Sequence, residues 1–367
     1  MQRSFIREIL EHIGEGVISF AGGLPDDAFF PLRELKETAI VALEDPGTLQ
    51  YGSSQGDLAL RKAIAGAYTR RGVPTRSEEI LITSGSQQAL DIICRALSLQ
   101  SVSVETPSYL GALRLFEMLN ISADKIELDD EGIAKEGFEQ SFTYTKTAYL
   151  IPDFQNPSSL RYSRSRRKQI AQIIQEQKGI LIEDAPYSEL YFHRFLPPIS
   201  GMIPNQSYHL GSFSKSLAPG LRIGWIRASR ERIDTLLAVR EAMDLHSNTL
   251  AQKMIALWLE RPDAHWKHLE LLRHNYRAKM LRMAEALERY LPAFRFSRPG
   301  GGMFLYGTLP GVDTRALVRA CIPHGVLFVP GAEFGGDPDT IRFNYTHPSP
   351  EEIDEGIRRI AEVLGKR

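Results

Sequence analysis

From residue 80 to residue 228, short runs of aliphatic and β-branched residues alternate with stretches whose apolar positions recur at helical spacing. The runs at 80–83, 101–105, 148–152, 180–183 and 208–211 are predicted strands. Helices are predicted over 86–97, 109–119 and 165–177, the last with Ser165 as its cap. Such alternation predicts an α/β domain built on a mainly parallel, buried sheet. The run at 222–228 follows Lys215 too closely for a crossover helix and is predicted to be antiparallel. After Arg230 the pattern changes to long helical segments through Tyr290, then to strand-like runs at 302–307, 326–329 and 340–344, which predicts a second, α+β domain. The expected division is an N-terminal arm with part of the small domain at 1–35, a large domain at 36–235, and the remaining small domain at 236–367, with the helix after Ser229 joining them. Gly300-Gly301-Gly302 leads into a strand rather than a helix, so it is read as a tight turn and not a phosphate loop.

Composition narrows the function classes. Lys plus Arg (44) nearly balance Asp plus Glu (45), for a net charge of −1, which gives no reason to expect a nucleic-acid partner. The densest basic run, Arg161, Arg164, Arg166, Arg167 and Lys168, is read as a solvated helix face. Cys94 and Cys321 fall in apolar-periodic stretches and are read as reduced, packed thiols. Residues 1–15 lack the apolar core of a signal peptide and no segment is long and apolar enough to span a bilayer, so a cytoplasmic protein without membrane attachment is expected. His265 and His268 have no evident further ligand and are read as solvated, with no metal site expected.

Candidate chemistry gathers where predicted strands end. Gly211-Ser212-Phe213-Ser214-Lys215, with Arg222 close behind, surrounds one lysine with donors suited to a phosphate; a lysine beside a bound phosphate and carbonyl suits Schiff-base chemistry. Ser84-Gly85-Ser86-Gln87 joins a strand to a helix start, where backbone N–H groups and the dipole favour an anion. Glu183-Asp184 closes an apolar strand, and a carboxylate there needs a partner, such as a protonated ring nitrogen, with Tyr187 in reach of a ring hydroxyl. Asn156, held extended by Pro157, and Tyr109, suited to stacking on a ring, stand beyond two further strand ends.

The motifs at 84–88, 155–157, 183–184 and 211–215, in this order, resemble those of fold-type I enzymes that use pyridoxal 5'-phosphate (PLP), of aminotransferase class I/II. The similarity extends from residues 4–10 and 18–25 to Ile341-Arg342 and is greatest to the branch of 2-aminoadipate and kynurenine aminotransferases and MocR-like regulators. The resemblance implies a seven-stranded, mainly parallel sheet in the large domain. It implies Lys215, Asp184 and Tyr109 as catalytic residues, with Lys215 the attachment point, Asp184 on the pyridine nitrogen and Tyr109 on the ring. Asn156 and Tyr187 would meet the ring hydroxyl. Ser84, Gly85, Ser86, Gln87, Ser212, Ser214 and Arg222 would hold the phosphate, with Tyr51 supplied to the other subunit of a homodimer. Arg342 would grip the substrate α-carboxylate in a site that also includes Asn156, Gly23 and Tyr51.

Two positions depart from the pattern: Ser158-Ser159 stand where many relatives have Thr-Gly, and Ala185-Pro186-Tyr187 where close relatives have Asp-Ala-Tyr. The second leaves the contact of Tyr187 open. The expected activity is ping-pong transfer of an amino group from an α-amino acid to a 2-oxo acid, with 2-oxoglutarate as acceptor. Other PLP chemistry, decarboxylation or elimination, is the rival enzyme reading, against which Arg342 argues. A non-catalytic PLP-binding sensor is the rival from another class, disfavoured because the chain begins too near Phe20 to include a DNA-binding domain. Gly22-Gly23, the apolar arm residues Phe5 and Ile6, and the missing basic arm residue predict apolar or aromatic donors, with 2-aminoadipate as the alternative and Arg3 as a substitute cation.

Overall fold

Fourteen strands and eleven α-helices appear in the computed structural model, which describes residue 14, residues 16–261 and residues 263–365. Ser4, Phe5, Ile6 and Arg3 lie outside the described residues. In chain order the strands are β1 (Ile18–Ser19), β2 (Ile80–Thr83), β3 (Ser101–Thr106), β4 (Ser122–Asp129), β5 (Gly132–Ile133), β6 (Thr147–Leu150), β7 (Ile180–Asp184), β8 (Ser207–Ser212), β9 (Gly224–Arg227), β10 (Arg295–Phe296), β11 (Phe304–Thr308), β12 (Val326–Leu327), β13 (Val329–Pro330) and β14 (Thr340–Asn344). The helices are α1 (Leu32–Leu43), α2 (Leu58–Arg70), α3 (Ser86–Ala96), α4 (Leu110–Met118), α5 (Lys135–Thr145), α6 (Arg164–Glu176), α7 (Arg230–Met243), α8 (Thr249–Leu259), α9 (Ala264–Tyr290), α10 (Thr314–Cys321) and α11 (Pro350–Gly365).

The large sheet has the order β2-β9-β8-β7-β6-β3-β4-β5. β4, β3, β6, β7 and β8 run parallel, whereas β9 is antiparallel to both of its neighbours, as its short connection requires. Seven strands were expected, and the two-residue β5 pairs onto β4 as an eighth. The buried strands read as continuous apolar runs because helices cover both faces. β4 escaped the sequence reading because it lies near the sheet edge and is mostly polar, with only Ile126 buried.

Chain order reverses between β3 and β6: β4 is laid down on one side of β3, and β6, β7 and β8 on the other. A crevice beyond the carboxyl ends of the strands is the general consequence of such a switch. A second sheet, β10-β11-β14-β13, is antiparallel, and β1 pairs with β12. One apolar cluster runs from Leu81, Val104 and Ile182 to Leu305, Phe343 and Ile357, tying both sheets together. Helix α8, although beyond residue 235, packs Ile255 and Trp258 against Leu60, Ile82 and Phe213.

Several local expectations are corrected. Helix α6 is capped by Ser163, whose Oγ accepts from Arg166 N at 2.9 Å, rather than by Ser165, which is already inside the helix. Only part of the basic run is solvated. Arg167 is buried, donating to Pro152 O (2.9 Å) and Asp153 Oδ1 (2.8 Å), and Arg166 pairs with Asp129. His265 and His268 are not solvated either: both rings stand edge-on to Trp258, and burial lowers His265 to about 3, which keeps it neutral. Cys94 and Cys321 are both buried, as packed cysteines are expected to be. No helix among the described residues is long and apolar enough to cross a membrane.

Candidate active site

Strand alternation sends the two acids that end β7 to opposite faces. Glu183 accepts from the backbone N–H groups of Ile199 (3.0 Å) and Ser200 (2.8 Å) and lies 3.4 Å from His209 Nδ1. Burial pushes its carboxyl up, but His209 and these donors bring it down to about 2, so it is a satisfied structural anion. Asp184 faces the crevice. Its Oδ2 accepts from Tyr149 Oη at 2.7 Å, while Oδ1 is buried without a hydrogen-bond partner among the described residues. Burial raises Asp184 to about 6 against the Tyr149 bond. A desolvated carboxylate with one unused oxygen is a receptor for a cationic N–H.

Beyond β8 the chain turns, and Lys215 reaches back so that Nζ donates to Gly23 O at 2.7 Å. Burial, with Arg342 and Arg222 adding to it, lowers the Lys215 ammonium to about 8, towards the neutral amine that nucleophilic and base chemistry require. Ser214 N donates to Ser212 Oγ (3.1 Å), and Arg222 Nη2 donates to Ser84 O (3.1 Å). Gly85 has φ +92, and a Cβ there would lie 2.6 Å from Arg222 Nη2. Glycine thus lets the guanidinium lie against the first turn of α3, whose N–H groups have no partner within the helix. The result is a cup for a phosphate.

Arg342 enters from β14, only 5% exposed. Nη1 donates to Asn156 Oδ1 (2.8 Å), Nη2 to Ala21 O (2.6 Å), and Nε is buried and unpartnered among the described residues. Its guanidinium carbon lies 4.3 Å from the Phe304 ring centroid and 4.7 Å from that of Phe334. Burial lowers it to about 10, so it stays charged at neutral pH. Asn156 Nδ2 approaches Tyr187 Oη at 3.5 Å. Pro186 therefore leaves Tyr187 beside Asn156. Ser159, at the other departure, donates through Oγ to Phe304 O (2.5 Å) and fastens its loop to β11.

These groups surround one cavity of about 870 Å³. Lys215, Asp184, Tyr109, Asn156 and Tyr187 line it, as do Ser86, Gln87, Ser212, Ser214 and Arg222; Gly23 and Arg342 close it. Ser84 and Gly85 stand behind Arg222 instead, and the Ser84 hydroxyl meets Ser247 Oγ at 3.3 Å. Tyr51 is not in the cavity: it is 79% exposed, edge-on to His246. Sequence reasoning missed Tyr149, Phe334 and the Glu105–Gln155 pair. Gln155 Nε2 bridges Glu105 Oε2 (3.2 Å) and Pro107 O (2.7 Å), tying the loops that carry Tyr109 and Asn156. A tyrosine and a glutamate inside the buried stretches of strands were the available signal, because each must find a buried partner.

The residues present fit PLP on this structure's own terms: the unused Asp184 oxygen suits a protonated pyridine nitrogen, the α3–Arg222 cup a phosphate, and Lys215 an aldehyde.

Comparison with known proteins agrees. The aromatic-amino-acid aminotransferase 1 of Thermococcus litoralis is 36% identical, over 99% of this chain and 92% of that protein. The α-aminoadipate aminotransferase of Thermus thermophilus, solved with N-(5'-phosphopyridoxyl)-L-leucine, superposes with TM-score 0.91 at 35% identity, covering 100% of this chain and 95% of the other. A multiple substrate aminotransferase of Thermococcus profundus gives TM-score 0.92 at 35% identity, over 100% and 96% of the two chains. With residues 15–360 matching the family described as aminotransferase class I and II, the chain belongs to that family of PLP-dependent transaminases.

Proposed function

We propose that the donor is an α-amino acid with an apolar or aromatic side chain and the acceptor is 2-oxoglutarate, in a ping-pong scheme where the donor leaves as its 2-oxo acid before the acceptor enters. The observation that carries this reading is Arg342, a buried cation with an unused Nε in the same cavity as Lys215 and Asp184. A buried guanidinium is costly until a carboxylate pairs with it, so substrates keep their α-carboxylate and simple amines fail. Apolar walls from Leu110, Leu115 and Phe334 support an apolar side chain. The solved relative with a leucine adduct and the multiple-substrate relative support the same breadth.

When bound, PLP supplies the electron sink that stabilises negative charge at the substrate α-carbon. Asp184 Oδ1 would hold the ring nitrogen protonated, Asn156 and Tyr187 would meet the ring hydroxyl, and Tyr109 would lie on the ring. Arg342 fixes the α-carboxylate, which aims the α-hydrogen at Lys215 Nζ. Lys215 Nζ, drawn towards the neutral form by burial, removes that proton. The phosphate would rest on Ser86, Gln87, Ser212, Ser214 and Arg222, with Tyr51 reaching the second subunit of a homodimer. Borohydride reduction of holoenzyme followed by peptide mapping tests the central assignment: the label is expected on Lys215, and a label on another lysine overturns it. For the donor, kcat/KM values for leucine, phenylalanine, kynurenine and 2-aminoadipate are expected to favour the first three; a clear preference for 2-aminoadipate refutes the apolar reading.

A further inference from the structure

Four cations line the cavity, Arg114, Lys215, Arg222 and Arg342, against the single carboxylate of Asp184 among the described residues. Three of them are accounted for. Arg222 belongs to the phosphate cup, Lys215 to the chemistry, and Arg342 to the α-carboxylate. Arg114 remains.

It stands on the face of α4 that forms a cavity wall, one turn from Leu110 and one turn from Met118, with Leu115 beside it. Apart from Arg114, this wall is apolar. Unlike Arg342, Arg114 is not locked in place: its side chain is 44% exposed and its ion pair is a 3.2 Å contact to Glu117, itself 68% exposed. An i,i+3 pair that exposed contributes little in general, so the guanidinium can leave it at small cost.

We infer that Arg114 is the specificity residue that reads the distal carboxylate of a dicarboxylic substrate, 2-oxoglutarate above all. The same wall then serves both halves of the reaction: Leu110, Leu115 and Met118 cover an apolar side chain, and Arg114 turns in when the side chain ends in an anion. The inference rests on the transamination reading above and names the residue that lets one site accept two unlike substrates. A charge-assisted contact of this kind contributes about 1.5–3 kcal/mol in general, or roughly ten- to hundredfold in kcat/KM.

The test compares holoenzymes carrying Arg114, Arg114→Gln and Arg114→Lys, with kcat/KM measured for 2-oxoglutarate and for 2-oxoisocaproate, an apolar acceptor. In a ping-pong scheme each value belongs to that acceptor's own half-reaction, so their ratio isolates recognition of the distal group. Arg114→Gln is expected to lower the ratio of 2-oxoglutarate to 2-oxoisocaproate by about tenfold or more, and Arg114→Lys to recover part of it, since charge is kept and the two-pronged geometry lost. A ratio within twofold of wild type, whether both values fall together or neither does, overturns the inference. Wild-type enzyme that aminates neither acceptor overturns the reading of 2-oxoglutarate as acceptor, and the inference with it.

Discussion

Asp184 and Glu183 are adjacent carboxyls with opposite titration, and the difference yields a prediction about the protein stripped of cofactor. Asp184 binds its proton more tightly folded than unfolded, because burial raises it to about 6. The folded state is therefore penalised as pH climbs from the ordinary carboxyl range through 6, and unpenalised below it. Asp184→Asn removes the titration. From pH 4 to pH 7.5 the stability of the cofactor-free variant relative to wild type should improve by on the order of 2–3 kcal/mol. Chemical denaturation at the two pH values measures this; a pH-independent gap would show that Asp184 is not held in a desolvated state. The sequence disclosed Lys215 and Asp184 because each is an ionisable group at or just beyond the end of an apolar strand, an arrangement that needs a reason, whereas Arg342 came only from the resemblance to class I/II aminotransferases. It did not disclose Tyr149 or Phe334 as site residues, since an aromatic residue in an apolar stretch looks like ordinary core until its hydroxyl or face is seen against a charge.

Pairing of β2 with β9 decides the shape of the phosphate cup. The register sets Thr83 opposite Gly224, and a Cβ on Gly224 would lie 2.7 Å from the carbonyl carbon of Gly85 and 2.8 Å from Gly211 O. Gly224→Ala is expected to destabilise the fold by about 1–3 kcal/mol, read as a fall in Tm. Gly85→Ala should strain the backbone, which holds φ +92 there, and also lower cofactor affinity, because the atom it meets is the movable end of Arg222. A titration of cofactor-free protein followed by absorbance checks the second effect, and a Gly85→Ala protein that binds PLP as well as wild type refutes it. The parallel strands were legible as continuous apolar runs, whereas β4 was not, because a strand near a sheet edge can be as polar as a loop. The α6 cap slipped by two residues because Ser163 and Ser165 are equally good caps on composition, and only the backbone decides which one has left the helix.

The antiparallel sheet of β10, β11, β13 and β14 followed from the change of periodicity after Arg230, but the packing of α8 onto α1 and α2 did not, since a helix's partner is set by the whole topology. Tyr51 belongs to this scale. With Leu49 and Leu32 it is an exposed hydrophobic residue, and it sits away from its own cavity. A homodimer is expected by light scattering at assay concentration, with Tyr51→Phe lowering cofactor affinity. A fully active monomer would refute the shared site.

Finally, the cation surplus of the cavity lies in a molecule whose formal net charge is only −1. An incoming anion meets no overall attraction or repulsion until it nears the mouth, where the field is focused by low-dielectric walls. Capture should therefore depend on ionic strength according to the charge of the traveller. Raising salt from about 20 to about 200 mM shortens the screening length from about 20 Å to about 7 Å. It should depress kcat/KM for doubly charged 2-oxoglutarate more steeply than for a zwitterionic amino acid, and sulfate should compete at equal ionic strength where chloride does so more weakly.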